Sequence, residues 1–309
     1  MNILAAIDSS PCSQHVLDAA LARPWPEATT FCLLNVVDLQ RFERLPALIE
    51  DATVEGQSLV KAAAKRLCGA GYQTDTKILL GHPRAEISAY AKEWGADLIL
   101  VGSHGHGAFG RFLLGSVAQA TLRTAPCSVE IVRRPHRPSA TLGALGLKIL
   151  LATDGSACSL QAAHAVAKFP WPEGTVFQVL SVEELMVVAN QLETASLAAV
   201  YPASQLELLA TQAHDRAVAA IAEAKEVLRA AGRYVVESSM PLGEPRGLVV
   251  EFAKDWPADL IVLGSHGRRG MDRFLLGSVS ESVAIHAPCS VRVIRAKAAG
   301  DATASEPRS

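Results

Sequence analysis

Two stretches of the chain carry residue types that could hold an anion: VGSHGHGAFGRFLLGSV at 101–117 and LGSHGRRGMDRFLLGSV at 263–279. Each follows an apolar run and closes on a Gly-Ser step that opens a helical pattern. Both share the spacing G-x-x-G, nine residues, then G-S. The first copy uses Gly102, Gly105, Gly115 and Ser116; the second uses Gly264, Gly267, Gly277 and Ser278. Glycines let backbone approach a bulky group closely and permit positive φ. A Gly-Ser step at a helix start offers free N–H groups, the positive end of the helix dipole and a hydroxyl donor. The chemistry these features suit is retention of a phosphate. The plain alternative is a strand-to-helix connection with a serine cap. An acid stands at the end of the first apolar run of each copy, Asp8 and Asp154, which favours a ligand site over a bare connection.

Other chemistries fit these loops poorly. Gly105 to Gly110 spells G-x-G-x-x-G, but it follows the fourth apolar run of its unit, and the second copy reads Gly267-Arg268-Arg269-Gly270-Met271-Asp272. A dinucleotide fingerprint needs the glycines after the first strand. Gly110 to Ser116 resembles a P-loop without its lysine, so a Walker-type site is set aside as well. His104 and His266 recur inside S-H-G, yet no set of three or four ligands accompanies them, so loop packing or a hydrogen bond near the ligand is expected rather than a metal. Arg111 and Arg273 could reach a terminal phosphate or lie solvated on the surface. The six cysteines include no C-x-x-C and read as small apolar residues. No general base or catalytic nucleophile stands out.

The elements that must position these residues are written twice. NILAAIDSSPCS (2–13) aligns with KILLATDGSACS (148–159), GHPRAEISAYAKEWGADLILVGSHG (81–105) with GEPRGLVVEFAKDWPADLIVLGSHG (243–267), and APCSVEIV (125–132) with APCSVRVI (287–294). The spacing between these matches places about 16 extra residues in the second copy, within 184–210, between its second and third strands. NILAAI, TFCLLNVV, TDTKILL, DLILVG and SVEIV read as strands. Between them, 13–23, 47–70, 83–95 and 116–125 carry apolar residues at helical steps. Strands alternating with helices, and apolar on both faces, predict a parallel doubly wound α/β sheet with helices on both sides. In such sheets ligands sit beyond the carboxyl ends of the strands, where strand order reverses. Asp8 and the Gly102 loop follow strands one and four, and Asp154 and the Gly264 loop repeat the arrangement. The division expected is a first unit at 1–134, a linker at 135–146 rich in Pro, Arg and Gly, a second unit at 147–296 and a polar tail at 297–309.

Composition agrees with a globular chain of about two domains. Of 309 residues, 50% are hydrophobic and 19% charged, and the net charge is −2, so no basic stripe announces a nucleic-acid partner. The first residues lack a basic start and their apolar run breaks at Asp8. No apolar run approaches the length of a bilayer span. The expectation is a cytoplasmic protein with neither membrane nor nucleic-acid partners.

The A-x-D-x-S start, the G-x-x-G, nine residues, G-S spacing and the following APCSV together resemble the universal stress protein family, in its ATP-binding branch. The resemblance spans nearly the whole chain as two tandem units. It implies a Rossmann-like or flavodoxin-like fold in each, a five-stranded parallel sheet of order 3-2-1-4-5. It implies ATP, with Mg²⁺, as cofactor. Asp8 and Asp154 would meet the ribose or a phosphate-bound Mg²⁺, and Val36 and Val182 would offer backbone groups to adenine. Gly102 and Gly264 would lie near the ribose. Gly105, Gly115, Ser116 and Val117, with Gly267, Gly277, Ser278 and Val279, would hold phosphates. The family's habit of pairing last strands implies that residues 130–132 and 292–294 meet within one chain as a pseudo-dimer, with a homodimer also allowed. The activity implied is a stress-response regulatory or protective module. An ATP-hydrolysing or nucleotidyl-transfer enzyme and a nucleotide-free scaffold are the alternatives.

Overall fold

Asn2–Ala6, the first strand (β1), is followed by an alternation that repeats once. The computed structural model describes residues 1–42, 47–105, 114–135, 146–184, 203–232, 234–268 and 276–295. In the first half, α1 (Pro11–Ala22) leads to β2 (Thr30–Asp38), a short 3₁₀ turn (Leu39–Phe42), α2 (Ala47–Gly69) and β3 (Gln73–Gly81). Then come α3 (Pro83–Trp94), β4 (Leu98–Gly102), α4 (Ser116–Thr124) and β5 (Ser128–Val132). The second half runs β6 (Lys148–Ala152), α5 (Ala157–Ala167), β7 (Val176–Leu180), α6 (Ala203–Ala231), β8 (Val235–Ser239), α7 (Pro245–Asp255), β9 (Leu260–Gly264), α8 (Ser278–His286) and β10 (Ser290–Ile294). The linker at 136–145, the segment 185–202 and the tail from 296 lie outside the described residues, as do Arg111, Phe112, Arg269, Asp272 and Arg273.

Local chemistry explains the ends. Pro83 opens α3 and Pro245 opens α7, where a missing N–H costs nothing. Gly95 ends α3 in the left-handed conformation, φ 72°. Its counterpart is Pro257, and α7 closes instead on Trp256 at φ −102°. Helix α6 has 29 residues against 23 in α2, so part of the second copy's extra length lies in a longer helix.

The strands form one ten-stranded sheet of order β3-β2-β1-β4-β5-β10-β9-β6-β7-β8. Each half is parallel in the order 3-2-1-4-5, and the halves join antiparallel through β5 and β10. The joining register pairs Glu130 with Arg292. One face of the sheet packs α1, α2, α5 and α6 on Ile3, Phe31, Leu100, Ile149, Phe177 and Val262. The other packs α3, α4, α7 and α8 on Leu4, Ile99, Val129, Ile261 and Val291. Both apolar clusters continue across the junction, the first of them around the buried pair Glu130 and Arg292. Arg133 donates to the carbonyls of Ala284 (2.7 Å) and Ile285 (2.9 Å) at the end of α8. Arg295, its counterpart, donates to those of Leu122 (2.8 Å) and Arg123 (3.1 Å) at the end of α4. Each half thus satisfies helix-terminal carbonyls of the other.

The cysteines are all free; Cys32, Cys127 and Cys289 are buried, but Cys68 is exposed on α2, against the expectation of a packed residue. No helix among the described residues is long and apolar enough to cross a membrane.

Candidate functional site

Strand order reverses between β1 and β4 in the first half and between β6 and β9 in the second. At the first reversal a cavity of about 570 Å³ opens, and Asp8, Val36, Gly102, Gly105, Gly115, Ser116 and Val117 all line it. At the second a cavity of about 340 Å³ is lined by Asp154, Val182, Gly264, Gly267, Gly277, Ser278 and Val279. These fourteen candidates therefore fall at two corresponding places, while Arg111 and Arg273 lie outside the described residues.

Asp8 stands just past β1. Its Oδ1 accepts from the Ser10 N–H (3.0 Å), the Ser10 hydroxyl (2.5 Å) and the Ser13 hydroxyl (2.6 Å). One carboxylate oxygen is thereby fixed by α1. Oδ2 lies 3.2 Å from the place a Cβ on Gly105 would occupy, so it faces the glycine loop. Asp154 is held differently. Its Oδ1 accepts from the Ser156 N–H (3.0 Å), and its Oδ2 from the Arg268 N–H (3.1 Å). The Arg268 Nε stands 4.0 Å from the same oxygen. Ser159, the counterpart of Ser13, turns to Thr153 and the Ser156 carbonyl.

The glycines work by lacking a Cβ; the expected positive φ does not occur at any of the six. A Cβ on Gly102 would sit 2.9 Å from the Cys12 Cβ, and one on Gly264 would sit 2.7 Å from the Cys158 carbonyl carbon. These two let the first turn of α1 or α5 press on the end of β4 or β9. Gly115 and Gly277 press on loop backbone, at 3.2 Å from the Ser103 oxygen and 3.1 Å from the Ser265 oxygen. Their N–H groups donate to those same oxygens. Tight packing thus sets the spacing between these glycines and the neighbouring backbone.

At the helix starts, the N-cap positions are Gly115 and Gly277, with no side-chain cap. Ser116 and Ser278 are already helical, so the plain serine-cap alternative does not describe them. The first bond back to the cap comes from Gln119 in α4 and from Glu281 in α8. The N–H groups of Ser116, Val117 and Ala118 precede it, and so do those of Ser278, Val279 and Ser280; all six residues line the cavities.

Val36 lies within β2, opposite Leu79 of β3. The Leu34 carbonyl accepts from the Ile7 N–H on the β1 side. Two residues on, the Val36 peptide groups turn the same way, past the end of β1 and toward the cavity. Val182 lies past its strand, since β7 stops at Leu180. Glu183 bridges to Leu242, so Val182 again turns toward the β6 side.

Several residues at these sites escaped the sequence. Asn35 is buried in β2 and its Nδ2 donates to the Ile7 carbonyl (2.8 Å), bracing the turn that carries Asp8. Asp38, Arg41, Glu55 and Gly56 also line the first cavity. Asn35 becomes Ser181 in the second copy, so repetition gave no signal. Ser13 and Ser159 did recur and could have been found that way. His104 and His266 line their cavities, each with Nδ1 against the preceding serine hydroxyl, at 3.0 and 2.8 Å. Burial, then the charge of Arg295, pulls His266 below its ordinary value. Among the described residues no group of three or more His, Cys, Asp or Glu could hold a metal ion by itself.

Fold and sites together define a tandem α/β protein with one cleft per half at the reversal of strand order. The sequence model of the Universal stress protein family matches twice, over 1–133 and 147–295, and the chain belongs to that family. A universal stress protein of Methanocaldococcus jannaschii is 32% identical over 149 residues, 48% of this chain and 81% of its own. A Staphylococcus epidermidis protein of the same family name is 31% identical over 143 residues, 44% of this chain and 86% of its own. The crystal structure of a universal stress protein from Archaeoglobus fulgidus shares the fold across both halves, with TM-score 0.63, 21% identity and coverage of 95% of this chain and 96% of that one.

Proposed function

We propose that the chain is a nucleotide-binding module of the stress response that takes ATP in both clefts, the first more readily than the second. Its units are 1–134 and 147–296. The observation that carries this reading is the convergence, twice, of an acid after the first strand with uncapped helix N–H groups after a glycine loop. Free N–H groups at a helix start suit a phosphate, and Val36 or Val182 peptide groups suit the edge of a base. Asp8 has one carboxylate oxygen left over from its serine bonds, directed at the glycine loop. A single carboxylate is a weak Mg²⁺ site, so the ion would arrive with the phosphates and Asp8 would complete its shell. In the second cleft Arg268 already engages Asp154, which favours direct neutralisation of the ligand's charge over a metal.

The test is to purify the chain without added nucleotide, denature it and identify what is released by chromatography and mass. ATP in the released fraction, or a Mg-ATP-dependent rise in melting temperature where none is released, is expected. Absence of both would count against the proposal and leave the scaffold reading.

A further inference from the structure

At the centre of the ten-stranded sheet lies a buried ionic cluster that neither cleft uses. Glu130 is 0% exposed, Arg292 1% and Arg23 7%. Glu130 Oε2 accepts from Arg292 Nε at 2.8 Å, and Oε1 pairs with Arg23 Nη1. The two terminal nitrogens of Arg292 lack a hydrogen-bond partner. The guanidinium lies instead over the rings of Phe169 (4.6 Å) and Trp25 (5.6 Å), which themselves meet edge to face at 5.8 Å across the junction. Ionic clusters of this depth do little for net stability, since desolvation offsets the attraction.

The position of the cluster is informative. Glu130 and Arg292 are the same residue of the two repeats, in APCSVEIV and APCSVRVI. They are also directly opposed across β5 and β10. The pseudo-twofold axis relating the halves therefore passes between them. A residue on such an axis meets its own copy whenever two like units pair. Pairing of β10 with β10 of a second chain would bury two guanidiniums against each other with no carboxylate. Pairing of β5 with β5 would set two carboxylates face to face, each left with only Arg23. Only β5 with β10 gives unlike charges on the axis. The counterpart of Arg23 is Phe169, so the flanking position is also differentiated, cation in one half and aromatic in the other.

We infer that Glu130 and Arg292 select the partner of each central strand, directing unit one to unit two rather than to its like in a second copy of the chain. Similar strands with apolar flanks would otherwise cross-pair between chains, because the neighbours Val129, Ile131, Val291 and Val293 are equally buried on both sides. Like charges in contact at an interface cost enough to bias partner choice by about tenfold or more.

The experiment mixes two isotopically distinguishable preparations of the full chain. One portion is mixed native, and another is mixed in denaturant and refolded together; native mass spectrometry then counts mixed-mass species. Surface association appears in both portions, and strand exchange only in the second. The wild type should show no excess after refolding. Arg292→Leu keeps the Arg23–Glu130 pair and should raise the excess at least about tenfold. The triple variant Arg23→Leu, Glu130→Leu, Arg292→Leu removes every charge of the cluster and should behave likewise. Circular dichroism reports folding of each, and either folded variant with increased exchange supports the inference. A folded variant whose exchange does not exceed that of the wild type overturns it. Collapse of both variants overturns it too, because the cluster would then hold the fold rather than choose the partner.

Discussion

Asp8 and Asp154 occupy the same place in the two repeats and keep different company. Asp8 is gripped by two serine hydroxyls, while Asp154 faces Arg268. Asp8→Ala should therefore weaken Mg-ATP binding in the first cleft by about tenfold or more, the worth of one charge-assisted contact, as read by calorimetric titration. Arg268→Ala should make binding in the second cleft more Mg²⁺-dependent, since it removes the side-chain cation beside Asp154 while the backbone N–H bond to Oδ2 stays. The glycines predict a stability effect without any ligand. Gly264→Ala would drive a Cβ into the Cys158 backbone and should cost about 1–3 kcal/mol in denaturant unfolding of the ligand-free protein. His266 gives a pH signature. Its pKa lies below the ordinary 6.5, so the unfolded chain binds more protons than the folded one just below that pH. Its contribution is present above 6.5 and is lost as pH falls toward the folded value. An NMR titration should place the His266 midpoint below 6.5, and a midpoint above it would contradict the burial argument.

At the level of elements, the repeated pattern made the alternation legible, because strands apolar on both faces and helices with three- and four-residue steps differ strongly in period. Strand β7 was the exception: nothing in its composition marks a stop at Leu180, and the shared Val36–Val182 position hid the difference. The φ values of the loop glycines were not legible either, since a missing Cβ and a positive φ call for the same residue. The reciprocal arginines could not be read at all, for their acceptors lie about 150 or more positions away, at |i−j| 151–173. Each places a cation at a helix C-terminus, where charge and hydrogen bonding both stabilise. Arg133→Ala or Arg295→Ala should each lower unfolding free energy by about 1–2 kcal/mol, measured by urea unfolding, with nucleotide contacts untouched.

Taken whole, the molecule fuses two copies of one unit into a continuous sheet, and its two clefts open at equivalent reversals of strand order. The duplication was legible in the sequence, and the family resemblance implied which last strands meet, as β5 and β10 do. The contact of Arg268 with Asp154 was not legible, because no spacing announces it. The most direct test of the account is the number of ATP molecules held per chain by native mass spectrometry during titration with Mg-ATP, for the wild type and for Asp8→Ala and Asp154→Ala. The account predicts two ATP per wild-type chain at saturation, with Asp8→Ala abolishing or weakening the tighter step and Asp154→Ala the weaker one. A folded wild-type chain that takes up none, or a stoichiometry and affinity that neither substitution alters, would contradict it.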